Sequence, residues 1–170
     1  MADSNITKNA LAAAMKKLMR EKKLSKISIA DICGECGMNR NSFYYHFRDK
    51  YDLVNWIFDR DYSGFVYRNK GGSFLIRELC DYFSDNSAYY RKVLMIQGQN
   101  CFYEHLHNHF YRILTNHKKD DANDFKIHFY SDAIVSSIKR WLNNMALNSE
   151  LFSKELESVL KQANICNGLD

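Results

Sequence analysis

Apolar side chains recur along this chain at the three- and four-residue spacing of helices, with no sustained alternation of the kind a strand requires. Leu11, Ala14, Met15, Leu18 and Met19 form the first stripe, with Lys8, Lys16, Lys17 and Arg20 on other faces. Asn5 or Thr7 is the expected cap of that helix. The pattern breaks over residues 21–27. Ser28 and Asp31 then have the spacing of a capping box, with Asp in the place of the commoner Glu. Behind them Ile29, Ile32, Cys33 and Cys36 predict a short second helix. Gly37 stands where a helix end favours positive φ, and Asn39 follows closely as the N-cap of a third helix running through Phe47. Two short helices joined by a glycine-containing turn predict a helix-turn-helix. After a break at residues 48–50, Tyr51, Leu53, Val54, Ile57 and Phe58 mark the buried stripe of a longer fourth helix.

The glycine pair in residues 69–72 is the expected hinge between this head and a body. Beyond it the pattern predicts helices near residues 73–85, 87–95 and 101–117, a polar loop at 118–123, and helices near 124–145 and 149–165. The last two carry more apolar surface than a small body can bury alone, notably Phe129, Ile134, Ile138, Trp141 and Leu160. These five are the expected dimerisation residues, and a homodimer the expected assembly. The fold class is thus all-α: a three-helix head over residues 1–50, a linking helix to about 68, and a C-terminal helical bundle over 69–170.

Composition narrows this picture. The chain has no proline and seven glycines in 170 residues, which suits long helices and not the turns of an all-β fold. No run approaches the roughly 18 apolar residues of a membrane span, and residues 1–9 hold no apolar signal-peptide core. A cytoplasmic protein without membrane association is expected. Five cysteines without paired spacing fit reduced thiols better than a disulfide framework. Charge is uneven: residues 1–50 hold ten Lys and Arg against five Asp and Glu, residues 51–170 fourteen against fifteen. The basic excess lies wholly in the head, where it can meet a polyanion.

The third helix is polar at its start and aromatic in its middle. Arg40, Asn41 and Ser42 occupy the first turn, which a recognition helix points into the major groove. There Arg can pair with guanine and Asn with adenine, each in a bidentate way. Ser28, Tyr45, His46 and Lys50 offer donors suited to phosphate oxygens, which fix register and not sequence, and Asn39 and Tyr44 complete the expected DNA-binding set. Double-stranded DNA is the partner this pattern implies.

Asp31-Ile32-Cys33, Cys36-Gly37-Met38, Asn39-Arg40-Asn41-Ser42, Tyr44-Tyr45-His46-Phe47 and Lys50 resemble the DNA-binding signature of the TetR family of regulators over about residues 8–58. The family pattern has an Asp-Ile-Ala element, an Ala-Gly-Val turn, Ser-x-Gly-Thr and Tyr-Tyr-His-Phe. Here Asn41 and Ser42 replace Gly-Thr, a departure that bears on the operator sequence. The resemblance implies an all-helical homodimer whose last two long helices pair with those of a second subunit. It also implies phosphate contacts by Ser28, Tyr45 and Lys50, and base-edge contacts by Arg40, Asn41, Ser42 and Tyr44. A narrower resemblance lies in Asn39-Arg40, residues 49–53 with Trp56, residues 97–100 and the helix of Trp141. These are similar to the branch related to the dihydroxyacetone kinase operon activator. The effector is then a small molecule or a protein co-regulator.

Three constellations stand outside this reading. Cys33 and Cys36 have redox or zinc spacing, yet lack both a βαβ context and further ligands. His105, His107 and His109 include one pair on a common helical face, again with no further ligand, so no metal or cofactor is expected. Phe74, Tyr82, Phe83, Tyr89, Tyr90, Phe102, Tyr103, Phe110 and Tyr111 read equally as core and as the lining of an effector cavity. No nucleophile, base and orienting group can be assembled, so an enzyme is not expected. The rival function is a helical protein-interaction module that does not bind DNA.

Overall fold

The computed structural model of the chain describes residues 2–68, 76–96, 98, 101–116 and 123–164. Every regular element among these residues is helical: α1 (Ala2–Glu21), a single 3-10 turn at Leu24–Lys26, α2 (Ile29–Glu35), α3 (Arg40–His46), α4 (Lys50–Arg68), α5 (Ile76–Asp85), α6 (Ser87–Val93), α7 (Phe102–Asn116), α8 (Asp124–Asn144) and α9 (Ser149–Ala163). No described helix is long and apolar enough to cross a membrane. The expected hinge at 69–72 and most of the expected loop at 118–123 lie outside the described residues.

One boundary differs from the sequence reading. α1 begins at Ala2, so Asn5 and Thr7 lie inside it and neither stands at its N-cap. No proline or glycine stands between Ala2 and Leu11 to stop the helix from extending to its origin. α4 begins where Asp49 accepts hydrogen bonds from the amides of Tyr51 and Asp52, both at 2.8 Å.

In the head, α1 packs on α2, α3 and α4. Leu11, Met15, Ile32, Phe43, Phe47, Leu53 and Ile57 are buried between them. The body packs α5 on α9, and both α6 and α7 on α8. Head and body share one hydrophobic core that runs without interruption from Leu11 to Leu160. Phe58 of the linking helix α4 is central to it. Its ring stacks on Phe83 at 5.9 Å and meets Tyr82, Tyr90 and Phe102 edge-on at 6.1, 6.1 and 5.3 Å, the offset and T-shaped arrangements aromatic rings prefer. Polar links reinforce the junction: Lys16 pairs with Asp61, and Arg60 donates to Asn9 at 2.7 Å.

The aromatic residues of the body thus divide. Tyr82, Phe83, Tyr90, Phe102 and Phe110 are core, whereas Tyr89, Tyr103 and Tyr111 are partly buried at its edge. Phe74 lies outside the described residues.

On α8 and α9 the five expected dimerisation residues divide by exposure, with Phe129 exposed and the other four buried. Ile134, Ile138, Trp141 and Leu160 are buried within the single chain. Trp141 stacks flat on Phe152 at 4.5 Å and donates its indole N–H to the Leu147 carbonyl at 2.8 Å, so it joins α8 to α9 inside one subunit. Helical spacing identifies an apolar stripe but not which of two partners covers it. The apolar side chains left exposed on these helices are Phe125, Phe129, Leu151 and Val159.

Candidate nucleic-acid interface

The local sequence builds the helix-turn-helix through reciprocal caps. The Ser28 hydroxyl accepts from the Asp31 amide at 3.1 Å and donates to the Asp31 carboxylate at 2.7 Å. The same carboxylate accepts from the Ser28 amide at 2.8 Å. This closes the capping box and holds the Asp31 carboxyl below its ordinary range, chiefly through the Ser28 backbone bond. At the other end of α2 the chain reverses through Gly37 at φ 68°, a conformation costly for residues with a Cβ. Gly37 N–H donates to Gly34 O, and Met38 N–H to Cys33 O at 2.9 Å, the paired bonds of a Schellman motif. Asn39 then caps α3 by accepting from the Ser42 amide at 2.8 Å.

This turn fixes which face of α3 looks outward. Phe43, and Phe47 just past the helix end, are buried in the core of the head, Phe47 against Trp56 of α4, whereas Arg40, Asn41, Tyr44 and Tyr45 are exposed. Tyr45 is 82% exposed, an unusual solvent exposure for so large a ring unless it meets a partner. His46 is half-buried with its ring edge-on to Tyr45 at 4.8 Å. Arg40, Asn41, Tyr44 and Tyr45 therefore form a polar and aromatic ridge whose donors are directed away from the protein.

Other expected contact residues are already engaged. Ser28 and Ser42 spend their hydroxyl protons on Asp31 and Asn39, and the Asn39 carbonyl oxygen is the α3 cap. Lys50 is the clearest departure. Its ammonium donates to the carbonyls of Leu24 and Ile27, both at 2.8 Å, and lies 3.5 Å from that of Ser25. Burial lowers its pKa. Lys50 thus ties the start of α4 to the turn that leads into α2. The basic excess of the head includes Lys22, Lys23 and Lys26. Lys22 lies 3.6 Å from Asp31, while Lys23 and Lys26 are exposed beside the start of α2 with no ion pair among the described residues.

The remaining constellations do not come together. Cys33 is buried and Cys36 partly so, and their thiols face backbone carbonyls of Asn39 and Ile32. Burial raises both pKa values. The three histidines of α7 diverge. His105 reaches Asp59 of α4 at 2.8 Å, His107 stacks on His128 of α8, and His109 turns inward against Phe58 and Tyr62. No group of three or more metal-ligating side chains occurs among the described residues.

A capped helix-turn-helix with an exposed Arg, Asn and Tyr ridge defines a DNA-binding transcription regulator. The family model for bacterial regulatory proteins, tetR family, matches residues 10–57, and that for the transcriptional regulator C-terminal region matches 74–162. The chain belongs to the TetR family, whose members are regulators and not enzymes. It is 30% identical over 99 residues to the HTH-type dhaKLM operon transcriptional activator DhaS of Lactococcus lactis subsp. lactis (strain IL1403), an alignment covering 56% of this chain and 53% of that protein. The match thus spans about half the length of this curated relative. Two solved structures share the fold. The dihydroxyacetone kinase operon activator DhaS has a TM-score of 0.63 at 20% identity, covering 94% of this chain and 96% of its own. A TetR transcriptional regulator from Streptococcus agalactiae 2603V has a TM-score of 0.66 at 21% identity, with the same coverage.

Proposed function

We propose that the protein acts as a cytoplasmic homodimer on a near-palindromic operator, with Arg40, Asn41 and Tyr44 at base edges and Tyr45 on phosphate. Lys23 and Lys26 add the sequence-independent attraction, and the body, over residues 69–170, receives a small-molecule or protein signal. The observation that carries this reading is the outward ridge of α3, where four polar or aromatic side chains stay exposed while Phe43 of the helix and Phe47 at its C-cap are buried. Dimerisation is supported by the exposed apolar residues of α8 and α9. Phe129 and Val159 flank an apolar cleft of about 400 Å³ between these helices, a surface a lone subunit would leave in water.

Titration of the full chain with random duplex DNA at low salt tests the reading. A regulator of this kind retains nonspecific affinity, which falls about 10³–10⁵-fold between 50 and 200 mM salt if a dimer makes about 6–10 phosphate contacts. No binding at low salt, or binding indifferent to salt, refutes it and favours a protein-interaction module. Selection from a random DNA pool should then return an inverted repeat.

A further inference from the structure

The head touches the body not only through α4 but also where α1 meets α6. There a cleft of about 370 Å³ opens, large enough for a small ligand. Lys16 and Arg20, one helical turn apart on α1, and Lys92 of α6 all line it. Met19, Ala88 and Tyr89 give it an apolar surface, and Asp85 is the lining carboxylate that opposes the three cations. Lys16 is neutralised by Asp61. Arg20 is exposed and holds no ion pair among the described residues.

Lys92 is committed in a way that matters to the head. Its ammonium donates to the carbonyls of Met19 at 2.5 Å and Arg20 at 3.2 Å. These belong to the last turn of α1, where carbonyls run out of amide partners. Two of its three N–H bonds are thus used, and one remains. Cations gathered over apolar side chains attract a molecule with an anionic group and an apolar body, because the pairing strengthens where water is partly excluded.

We propose that the α1–α6 cleft is a binding site for a small organic anion. Arg20 and Lys92 hold its carboxylate or phosphate, and Met19, Ala88 and the Tyr89 ring pack against its apolar part. Occupancy draws the Lys92 ammonium from the end of α1. Because α1 packs on α2 and α3, its loosened end shifts the recognition ridge and lowers affinity for DNA. Only this last consequence rests on the DNA-binding reading; the site itself does not.

The test uses the full chain with labelled Met and Ala methyl groups, benzoate as probe and neutral benzamide as its control. Millimolar benzoate should shift the Met19 and Ala88 methyl signals saturably and leave Met145, at the C-cap of α8, in place. Benzamide should do neither. Lys92→Met should abolish the shifts. Arg20→Met, which removes an exposed side chain and no described ion pair, should weaken binding about tenfold while the remote methyl signals keep their positions. Absence of a saturable shift, equal shifts with benzamide, or an unchanged response in Arg20→Met overturns the site. In a parallel titration benzoate should weaken duplex binding at least about fivefold, the low end of ordinary coupling. Methyl shifts without that loss overturn the coupling and leave the site standing. Absence of DNA binding with and without benzoate overturns the regulator reading, while the methyl signals still decide the site.

Discussion

Among single residues of the head, the side chains divide into those that face outward and those that hold the head together, and the two groups respond differently to substitution. Arg40 is exposed in the first turn of α3. Arg40→Ala should relax preference at one base position at a cost of about 1–3 kcal/mol if it reads guanine, seen as a blurred position in the motif selected from a random DNA pool. Tyr45→Phe removes one hydroxyl from a ring that is 82% exposed and should weaken binding to all sequences alike, because phosphate carries no sequence information. A changed motif for Tyr45→Phe would contradict this division. Lys50 belongs to the second group. Lys50→Met removes the ammonium donor from the Ile27 carbonyl and leaves the Leu24 carbonyl only the Ile27 amide, and should destabilise the chain by about 1–3 kcal/mol. Urea unfolding reads this directly. Wild-type stability with reduced DNA affinity would instead return Lys50 to the phosphate backbone.

For the individual helices, the caps were legible in the sequence because they are local. Ser28 with Asp31, Gly37 and Asn39 act within a few residues, and each sits where spacing placed it. The engagement of Lys50 with a turn 23 to 26 residues earlier was not legible, since chain spacing holds no record of which carbonyls are left over. The same limit applies to α8, whose apolar stripe was visible while the inward or outward sense of Trp141 and Phe129 depended on α9. It applies again to α7, where three alternate histidines look like one cluster in sequence and point to three neighbours in space. His109 carries a measurable consequence. Burial first, then nearby Arg112 and His105, hold its pKa down to about 4 against an ordinary 6.5, with Asp59 acting in the opposite sense. The unfolded chain therefore takes up this proton near pH 6.5 and the folded chain only near 4. Stability contributed by neutral His109 is complete above about pH 6.5, falls as pH drops, and levels off below about 4, a loss on the order of 3 kcal/mol. Urea midpoints across this window should drop more steeply for the wild type than for His109→Gln. Parallel curves would refute the assignment.

The assembly of the whole molecule follows from what the single chain leaves uncovered. Phe129 is 56% and Val159 53% exposed on either side of one cleft, so Phe129→Glu and Val159→Lys should each give a folded monomer. Operator affinity should then fall with the loss of the second reading head, because a two-fold dimer places its α3 helices about one DNA turn apart or a multiple of it. Light scattering on the wild type at micromolar concentration decides the point: a monomer there removes the dimer. The core that joins Leu11 to Leu160 has a further implication, which the placement of two indoles makes readable. Trp56 sits on α4 beside Arg60, 4.8 Å from its ring, and Trp141 lies between α8 and α9. Single-tryptophan variants would report the two halves separately by fluorescence. Because one cluster joins both halves among the described residues, both signals should change at the same denaturant concentration, as one cooperative transition. Damage to the far end of α8 would then be paid for by the reading head as well, through a smaller folded fraction of the entire chain.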